Sequence, residues 1–288
     1  MIKKNKPLVT VYMPMYNTGK YVAAAIESIL NQTHRHFEFI IIDDCSTDRS
    51  YQIAKKYAKV DKRIRLFKNA QNLGVSATSN FAVSISKGKY ITRMDSDDLA
   101  PVYRLERQVA YLTAHPQTIA VGGQCVIIDK RGNFIGTKNF PLYPKEITDM
   151  LFWAMPIQQG TMMINKSLLP TDFYWYQPNL SSAEEINLIF RLTRFGNIAN
   201  ISDTLLFYRH LNTSLSHLNP KKTFALTLNS RLEALRLGFK PSLKAIGINV
   251  VQIFIIALLP NSIINQLWYY IRGVKQISYG YQIESIIN

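Results

Sequence analysis

Three short acidic stations, Asp43-Asp44, Asp95-Ser96-Asp97-Asp98 and Glu184-Glu185, interrupt a chain that is otherwise strongly basic. The middle station closely follows an apolar run ending at Ile91. Carboxylates crowded at the end of a strand repel one another, so they require a cation, hydrogen bonds or open solvent. A metal site is the sharper reading, because a hard divalent ion takes carboxylate and diphosphate oxygens together. A solvated acidic loop is the plainer reading of 95 to 98, as an Asx turn or helix cap is for Asp43 and Asp44. Asp98 is also placed to cap a helix beginning near Pro101. Glu184 and Glu185 stand just before Leu188-Ile189-Phe190. There they favour a helix dipole.

These stations need a regular scaffold, and the first half of the chain alternates strand and helix patterns. Leu8 to Met13 is a short β-branched run that Pro14 ends before a turn at Asn17, Thr18 and Gly19. Val22, Ile26, Ile29 and Leu30 predict a helix covering a sheet. A strand over Phe39 to Ile42 delivers Asp43-Asp44; Ser46, Thr47 or Asp48 then caps a helix with Ile53, Ala54 and Tyr57 on one face. Ile64 to Phe67 predicts a third strand. A helix between Gly74 and Gly88 has Ala77, Phe81, Ala82 and Ile85 as apolar positions, and Tyr90-Ile91 opens the next strand. Val121-Gly122-Gly123 to Gly132-Asn133 reads as a strand and hairpin with its turn at Asp129 to Asn133. Buried strands joined by helices predict an open, mostly parallel α/β sheet. Such sheets bind ligands beyond the carboxyl ends of their strands, where Pro14 to Asn17, Asp43-Asp44 and Asp95 to Asp98 converge.

Composition narrows the partners. A chain of 288 residues that is 47% hydrophobic can bury one sizeable core, and a formal charge of +15 favours an anionic partner. Cys45 and Cys125 are the only cysteines, too few for a disulfide scaffold or a cysteine-rich zinc site. Lys3, Lys4 and Lys6 make a basic start, but Pro7 and the charges interrupt any apolar run, so neither a signal peptide nor export is predicted. Pro14 to Lys20 holds a single glycine, and no Gly-Lys-Ser or Gly-Lys-Thr follows. That pattern disfavours dinucleotide oxidoreductases, ATPases and nucleotidyltransferases with a triphosphate loop. Metal-assisted handling of a nucleotide diphosphate fits better. No basic-aromatic motif supports nucleic-acid binding. An inactive scaffold of the same fold is the remaining rival.

Several segments occur in an ordered series: Val11-Tyr12-Met13-Pro14-Met15-Tyr16-Asn17, Ser28 to Thr33, Ile41 to Asp48, Asn72 to Asn80, Gly88 to Asp98 and Ala183 to Leu192. Together they resemble family 2 glycosyltransferases with the GT-A fold, from about residue 8 to about residue 240. The resemblance implies transfer of a sugar from a nucleotide-diphosphate sugar, a UDP-sugar favoured, with inversion and with Mn²⁺ or Mg²⁺. It places Asp44 against the nucleotide base, with Pro14, Tyr16 and Asn17 in the same wall. Asp95 and Asp97 fall on the Asp-x-Asp signature, Asp97 as direct metal ligand and Asp95 toward the diphosphate. Glu185 takes the base position, where an aspartate is common, and Glu184 is its alternate. Arg191 matches an arginine that could orient these carboxylates. Asn80 and Arg209 are implied donor contacts, Arg209 and His210 on a loop able to close over the donor.

This sequence departs from the family at several points. Cys45 replaces a usual glycine, so the turn after Asp44 is expected not to require positive φ. Ser79 stands where arginine is frequent, with Arg93 a substitute for its diphosphate contact. Gln159 stands where histidine is frequent and either touches a sugar or completes core-edge hydrogen bonds. Trp153 and Trp175 are candidates for stacking on a sugar ring or for core packing.

Residues 1–216 are therefore read as the catalytic domain, with a donor half of about 1–98 and an acceptor half of about 99–216. Residues 217–288 form a basic amphipathic helical extension of net charge +6. Its apolar run, Ile246 to Leu259, is shorter than the roughly 20 residues needed to span a bilayer, so an interfacial helix is expected. Trp268, Tyr269, Tyr270 and Arg272 suit the headgroup level, while a buried helix pair or dimer contact is the alternative. An anionic membrane surface, a lipid-linked or free saccharide acceptor and a cytoplasmic place on the inner face of the cell membrane follow as expectations.

Overall fold

The computed structural model describes residues 6–177, 183–211, 220–260, 263–264 and 275–276. The first half runs β1 (Val9–Met15), α1 (Val22–Leu30), β2 (Phe37–Asp43), α2 (Ser50–Val60), β3 (Ile64–Lys68), α3 (Val75–Ser84) and β4 (Tyr90–Arg93). β1 pairs in parallel with β2 and β4, and β2 with β3. The second half runs α4 (Arg104–Ala114), β5 (Thr118–Ile128), β6 (Phe134–Lys138), α5 (Pro144–Leu151), β7 (Met163–Asn165), α6 (Glu184–Leu192) and β8 (Asn197–Arg209). Two long helices, α7 (Pro220–Arg236) and α8 (Leu243–Leu258), and the short strand β9 (Lys275–Gln276) follow. Among the described residues the sheet order is β3-β2-β1-β4-β7-β5-β6-β9, and β8 pairs in parallel with β5. This is a mixed α/β sheet flanked by helices, with a helical C-terminal extension.

Side-chain alternation along the strands builds two core layers. Val9, Val11, Met13, Phe37, Phe39 and Ile41 meet the buried stripe of α1, formed by Val22, Ala25, Ile26 and Ile29. Tyr12, Ile40, Ile42 and Ile91 face the other way, toward Ala82 and Val83 of α3 and Ile186, Leu188 and Ile189 of α6. Burial on both faces is what a central parallel strand requires, and β2 is buried along its whole length. Polar groups inside this core are paired. Glu38 accepts from Thr10 Oγ1 at 2.7 Å, Lys87 N at 2.6 Å and Arg65 Nη1 at 2.6 Å. Arg104 is fully buried and donates to Thr92 Oγ1 at 2.7 Å and the Arg93 carbonyl at 2.9 Å, fixing the end of β4.

The structure corrects several local expectations. β1 continues through Pro14, which pairs with Ile42, because the ladder resumes when Asp44 N donates to the Met15 carbonyl at 2.8 Å. Phe81 lies on the exposed side of α3, whose buried face is built from Ser76, Thr78, Ser79, Ala82 and Val83. Small side chains let that helix approach the sheet closely. α4 begins at Arg104, too far along for Asp98 to cap it. The hairpin turn at Asp129 to Asn133 has the expected form, with Asp129 Oδ1 accepting from Arg131 N and Asn133 N at 2.8 Å each. Pro260 follows the apolar helix α8 as expected, and Trp268, Tyr269, Tyr270 and Arg272 lie outside the described residues. Among the described residues no helix is long and apolar enough to cross a membrane.

Candidate active site

The carboxyl ends of β1, β2 and β4 lie side by side, with Met15 opposite Asp43 and Tyr12 opposite Arg93. Their loops are laced together. Asn17 Oδ1 accepts from Thr47 N at 2.9 Å, Asp48 Oδ2 from Gly19 N at 2.9 Å, and Ser96 Oγ from Thr18 Oγ1 at 2.9 Å. Asp48 Oδ1 also accepts from Ser50 N at 2.9 Å as a local turn, whereas the N-cap of α2 is Arg49 without a side-chain cap, which corrects the cap expected at Ser46, Thr47 or Asp48. A cavity of about 1130 Å³ opens beyond these loops. Pro14, Tyr16, Asn17, Asp44, Arg93, Asp95, Asp97, Glu184, Glu185 and Arg209 all line it.

Asp44 is buried, and its carboxylate organises the opposite wall. Oδ1 accepts from Asn69 Nδ2 at 2.7 Å and Leu73 N at 2.9 Å, while Oδ2 accepts from Gly74 N at 2.9 Å. Reaching that loop requires a sharp reversal directly after Asp44, and Cys45 takes φ 63°. The expectation that Cys45 avoids positive φ is therefore overturned; a non-glycine residue in that region costs on the order of 1–2 kcal/mol. The Cys45 thiol is half-buried and directed at the Ala70 carbonyl at 3.7 Å.

The middle acidic station divides into distinct roles. Asp95 Oδ1 accepts from Arg93 Nε at 2.7 Å. Asp98 is buried, and its Oδ1 accepts from Arg209 N at 2.7 Å, so it ties this loop to β8 instead of starting a helix. Its Oδ2 is buried without a hydrogen-bond partner. Burial and then the neighbouring Asp95 push the Asp97 carboxyl up to about 6. Burial, then Asp97 and Asp95, hold Asp98 well above the usual carboxylate range. Three carboxyls this close oppose one another's ionisation, a condition that a divalent cation would relieve. Among the described residues no group of three or more His, Cys, Asp and Glu side chains is arranged to enclose an ion.

Arg209 terminates β8 and is buried, which corrects its expected place on a closing loop. Its Nε donates to the Asp97 carbonyl at 2.8 Å, its Nη1 to the Asp129 carbonyl at 3.0 Å, and its guanidinium covers the Tyr21 ring at 4.7 Å. His210 continues the strand pairing through an N–H bond to the Ile128 carbonyl at 2.8 Å.

α6 opens with Ala183 at φ 61°, a left-handed residue that turns the chain so that Glu184 and Glu185 reach the cavity in the first helical turn. Glu184 is buried and Glu185 half-buried. Arg191 does not orient them. It donates to Asn187 Oδ1 at 3.0 Å and to the Tyr174 and Trp175 carbonyls, holding the strand-like segment before the helix. One turn separates Arg191 from Asn187, whereas the glutamates sit at the far end of α6.

Asn80, Gln159 and His210 are not on the cavity wall. Asn80 instead brackets Tyr176, accepting from its N–H at 2.9 Å and donating to its carbonyl at 2.7 Å. Gln159 accepts from Arg93 Nη1 at 2.8 Å and donates to the Tyr176 hydroxyl at 3.1 Å. Trp153 lines the cavity, while Trp175 packs edge-on against Phe173. Residues not singled out from the sequence, among them Asn69 and Tyr176, also build the site. Only Asn72 to Asn80, as a motif, hinted at the Leu73-Gly74 loop.

The model of glycosyl transferase family 2 matches residues 10–170. An uncharacterized glycosyltransferase of Haemophilus influenzae is 32% identical over 75% of this chain and 70% of its own length. Glycosyltransferase GlyG of Streptococcus pneumoniae is 34% identical, covering 72% of each chain. Among solved structures, Staphylococcus aureus TarS in complex with UDP-GlcNAc superposes with TM-score 0.66 at 20% identity, over 84% of this chain and 70% of that one. The mannosyltransferase PcManGT from Pyrobaculum calidifontis, in complex with GDP-Man and Mn²⁺, gives 0.62 at 16% identity, over 94% and 77%. With the family model covering more than half of its length, the chain belongs to glycosyl transferase family 2 and is an enzyme that transfers a sugar from a nucleotide-diphosphate sugar donor.

Proposed function

We propose that the enzyme works by inverting direct displacement, with the donor held between Asp44 and the Asp95–Asp97 loop and Glu185 as general base. The observation that carries this reading is the meeting of Asp44, Asp97 and Glu185, from separate segments of the chain, on one cavity. An inverting transfer needs a base on the acceptor side and charge neutralisation on the leaving-group side, and the carboxylates are divided in that way. Asp44, Pro14, Tyr16 and Asn17 form the nucleoside end, with Tyr16 47% exposed and able to cover a base. Glu184 is the alternate base, since both glutamates reach the cavity.

Asp97 and Asp95 are the residues that would hold Mn²⁺ or Mg²⁺. The charge crowding around Asp97 and the partnerless Asp98 Oδ2 support that fit. Such an ion would neutralise charge on the departing diphosphate, whose oxygens would complete a ligand set the protein supplies only in part. Arg93 fixes the orientation of Asp95, and the Arg209 guanidinium fixes the backbone of Asp97.

A UDP-sugar is the favoured donor, and TarS of the same fold has been captured with UDP-GlcNAc. The acceptor is a saccharide, free or lipid-linked. The exposed apolar residues of α8, including Leu243, Val251, Phe254 and Leu258, support a peripheral position on a membrane, whose surface we take to be anionic and on the cytoplasmic face. A screen of nucleotide sugars with Mn²⁺ or Mg²⁺, scoring hydrolysis and transfer, tests the reaction. Absence of any metal-dependent turnover or donor binding would overturn it.

A further inference from the structure

The cavity does not end at the carboxylates. Part of its wall is built by α7 and α8, where Phe224, Ile255 and Ile256 join Trp153, Met155 and Ile264. Within that apolar stretch lies Arg231, 3% exposed. Its Nη1 donates to Gln252 Oε1 at 3.1 Å, and its guanidinium rests 5.7 Å from the Phe224 ring centroid. Nε is buried without a hydrogen-bond partner. Among the described residues no carboxylate lies within 4.0 Å of the guanidinium. Arg104, also deeply buried, differs in spending its donors on Thr92, Arg93 and Gln108. A desolvated cation is costly unless an anion or a full set of acceptors meets it. Burial pushes Arg231 down to about 10, which leaves it charged at neutral pH.

The positive charge and the apolar wall occur together on α7 and α8, on the same cavity as Asp44. A donor diphosphate needs no apolar neighbour, whereas a phosphate attached to a hydrocarbon chain needs both features. Building on the sugar-transfer function proposed for this cavity, we propose that Arg231 is an anion subsite for a lipid-phosphate acceptor, whose apolar chain lies along Ile255, Ile256 and Ile264. Gln252 holds the guanidinium in place from the neighbouring helix. The acceptor sugar beyond the phosphate would then face Glu185 across the same volume.

Calorimetric titration of the full chain with Mn²⁺ present tests this, using dodecyl phosphate below its micelle concentration, dodecyl maltoside, inorganic phosphate and UDP. The wild type is expected to bind dodecyl phosphate about tenfold or more tightly than either the maltoside or inorganic phosphate, the scale of one charge-assisted hydrogen bond. Arg231→Gln should erase that preference, Arg231→Lys should retain part of it, and both should bind UDP as the wild type does. Ile256→Asn, which keeps the arginine, should weaken both alkyl ligands and spare UDP. Equal dodecyl phosphate binding in wild type and Arg231→Gln overturns the subsite, as does inorganic phosphate binding as tightly as dodecyl phosphate. A loss of UDP affinity in Arg231→Gln would assign the arginine to the donor and likewise overturn it. Failure of the wild type to bind UDP would sink the donor reading instead, whatever the alkyl ligands do.

Discussion

The hydroxyls of Tyr12 and Tyr176 lie 2.6 Å apart in the interior, joining β1 to the segment that leads into α6. Gln159 donates to the same Tyr176 hydroxyl and accepts from Arg93, which in turn holds Asp95. A continuous polar chain therefore runs from Asp95 through Arg93, Gln159 and Tyr176 to Tyr12.

Tyr176→Phe takes the hydroxyl partner of both Tyr12 and Gln159, and Tyr12→Phe leaves the Tyr176 hydroxyl with Gln159 as its remaining side-chain partner. Tyr176→Phe and Tyr12→Phe are each expected to lower stability by about 1–3 kcal/mol. The double variant should cost less than the sum, because one change has already broken the shared bond. Urea unfolding of the four proteins measures the cycle; strict additivity would mean that the two hydroxyls are not coupled.

The division of labour among the carboxylates is tested by isosteric changes. Asp97→Asn should lose metal-dependent donor binding. Glu185→Gln should bind donor normally yet transfer about 10²- to 10⁴-fold more slowly, the usual worth of a general base. Donor titrations beside transfer assays separate the two, and unchanged activity in both variants would refute the assignment.

Cys45 sits in left-handed conformation at an alpha-carbon that glycine would occupy without strain. Cys45→Gly relieves about 1–2 kcal/mol of strain while restoring about 0.4–1 kcal/mol of freedom to the unfolded chain. Thermal unfolding should therefore show a small rise in midpoint, and a fall would show that the thiol's contact with the Ala70 carbonyl outweighs the strain.

Glu38 carries a pH-dependent share of stability. Burial alone would raise its carboxyl, but hydrogen bonds from Thr10, Lys87 and Arg65 outweigh that and hold it below the usual carboxylate range. Its contribution is present above the unfolded carboxylate range and fades as pH falls through the depressed folded value. Glu38→Gln should cost about 1.5–3 kcal/mol near neutrality, the worth of hydrogen bonds to a charged group. That deficit should shrink toward acid in denaturation curves at pH 7 and pH 4. A deficit independent of pH would point to packing alone.

Phe254 projects from α8 into solvent, with Val251 and Leu258 also exposed on that helix. Phe254→Asp should reduce partition onto anionic vesicles by about tenfold or more, given about 1.5–3 kcal/mol for a fully inserted aromatic side chain. Vesicle flotation is the measurement, and equal flotation of both proteins would argue that α8 does not meet lipid.

Patterns that repeat with a fixed period were legible in the sequence, and contacts between distant segments were not. The helical stripe of Val22, Ile26 and Ile29 and the apolar runs of β2 and β4 announced themselves, because burial on a sheet imposes their spacing. The turn at Cys45 reads the wrong way in the sequence because a cysteine in place of a usual glycine points to ordinary φ; the demand for positive φ comes from Asp44 reaching Leu73 and Gly74. Asp98 looked like a helix cap because its true partner, the Arg209 amide, lies 111 residues away. Arg191 and Arg209 were read as mobile or functional charges, yet backbone carbonyls made adjacent only by the fold occupy their donors. Arg231 had no local signature, since its isolation depends on two helices closing over it.

The backbone bridge between Leu99 and Phe207 falls where the chain leaves the acidic loop. Leu99 N donates to the Phe207 carbonyl at 3.1 Å, and Phe207 N returns a bond to the Leu99 carbonyl at 2.8 Å. A chimera spliced between residues 98 and 99 would keep that bridge whole, since both of its residues lie after the cut, but would part Asp98 from the Arg209 amide it accepts from. A graft of the second half would have to preserve that bond, which makes the end of β8 part of the unit inherited with the acidic loop.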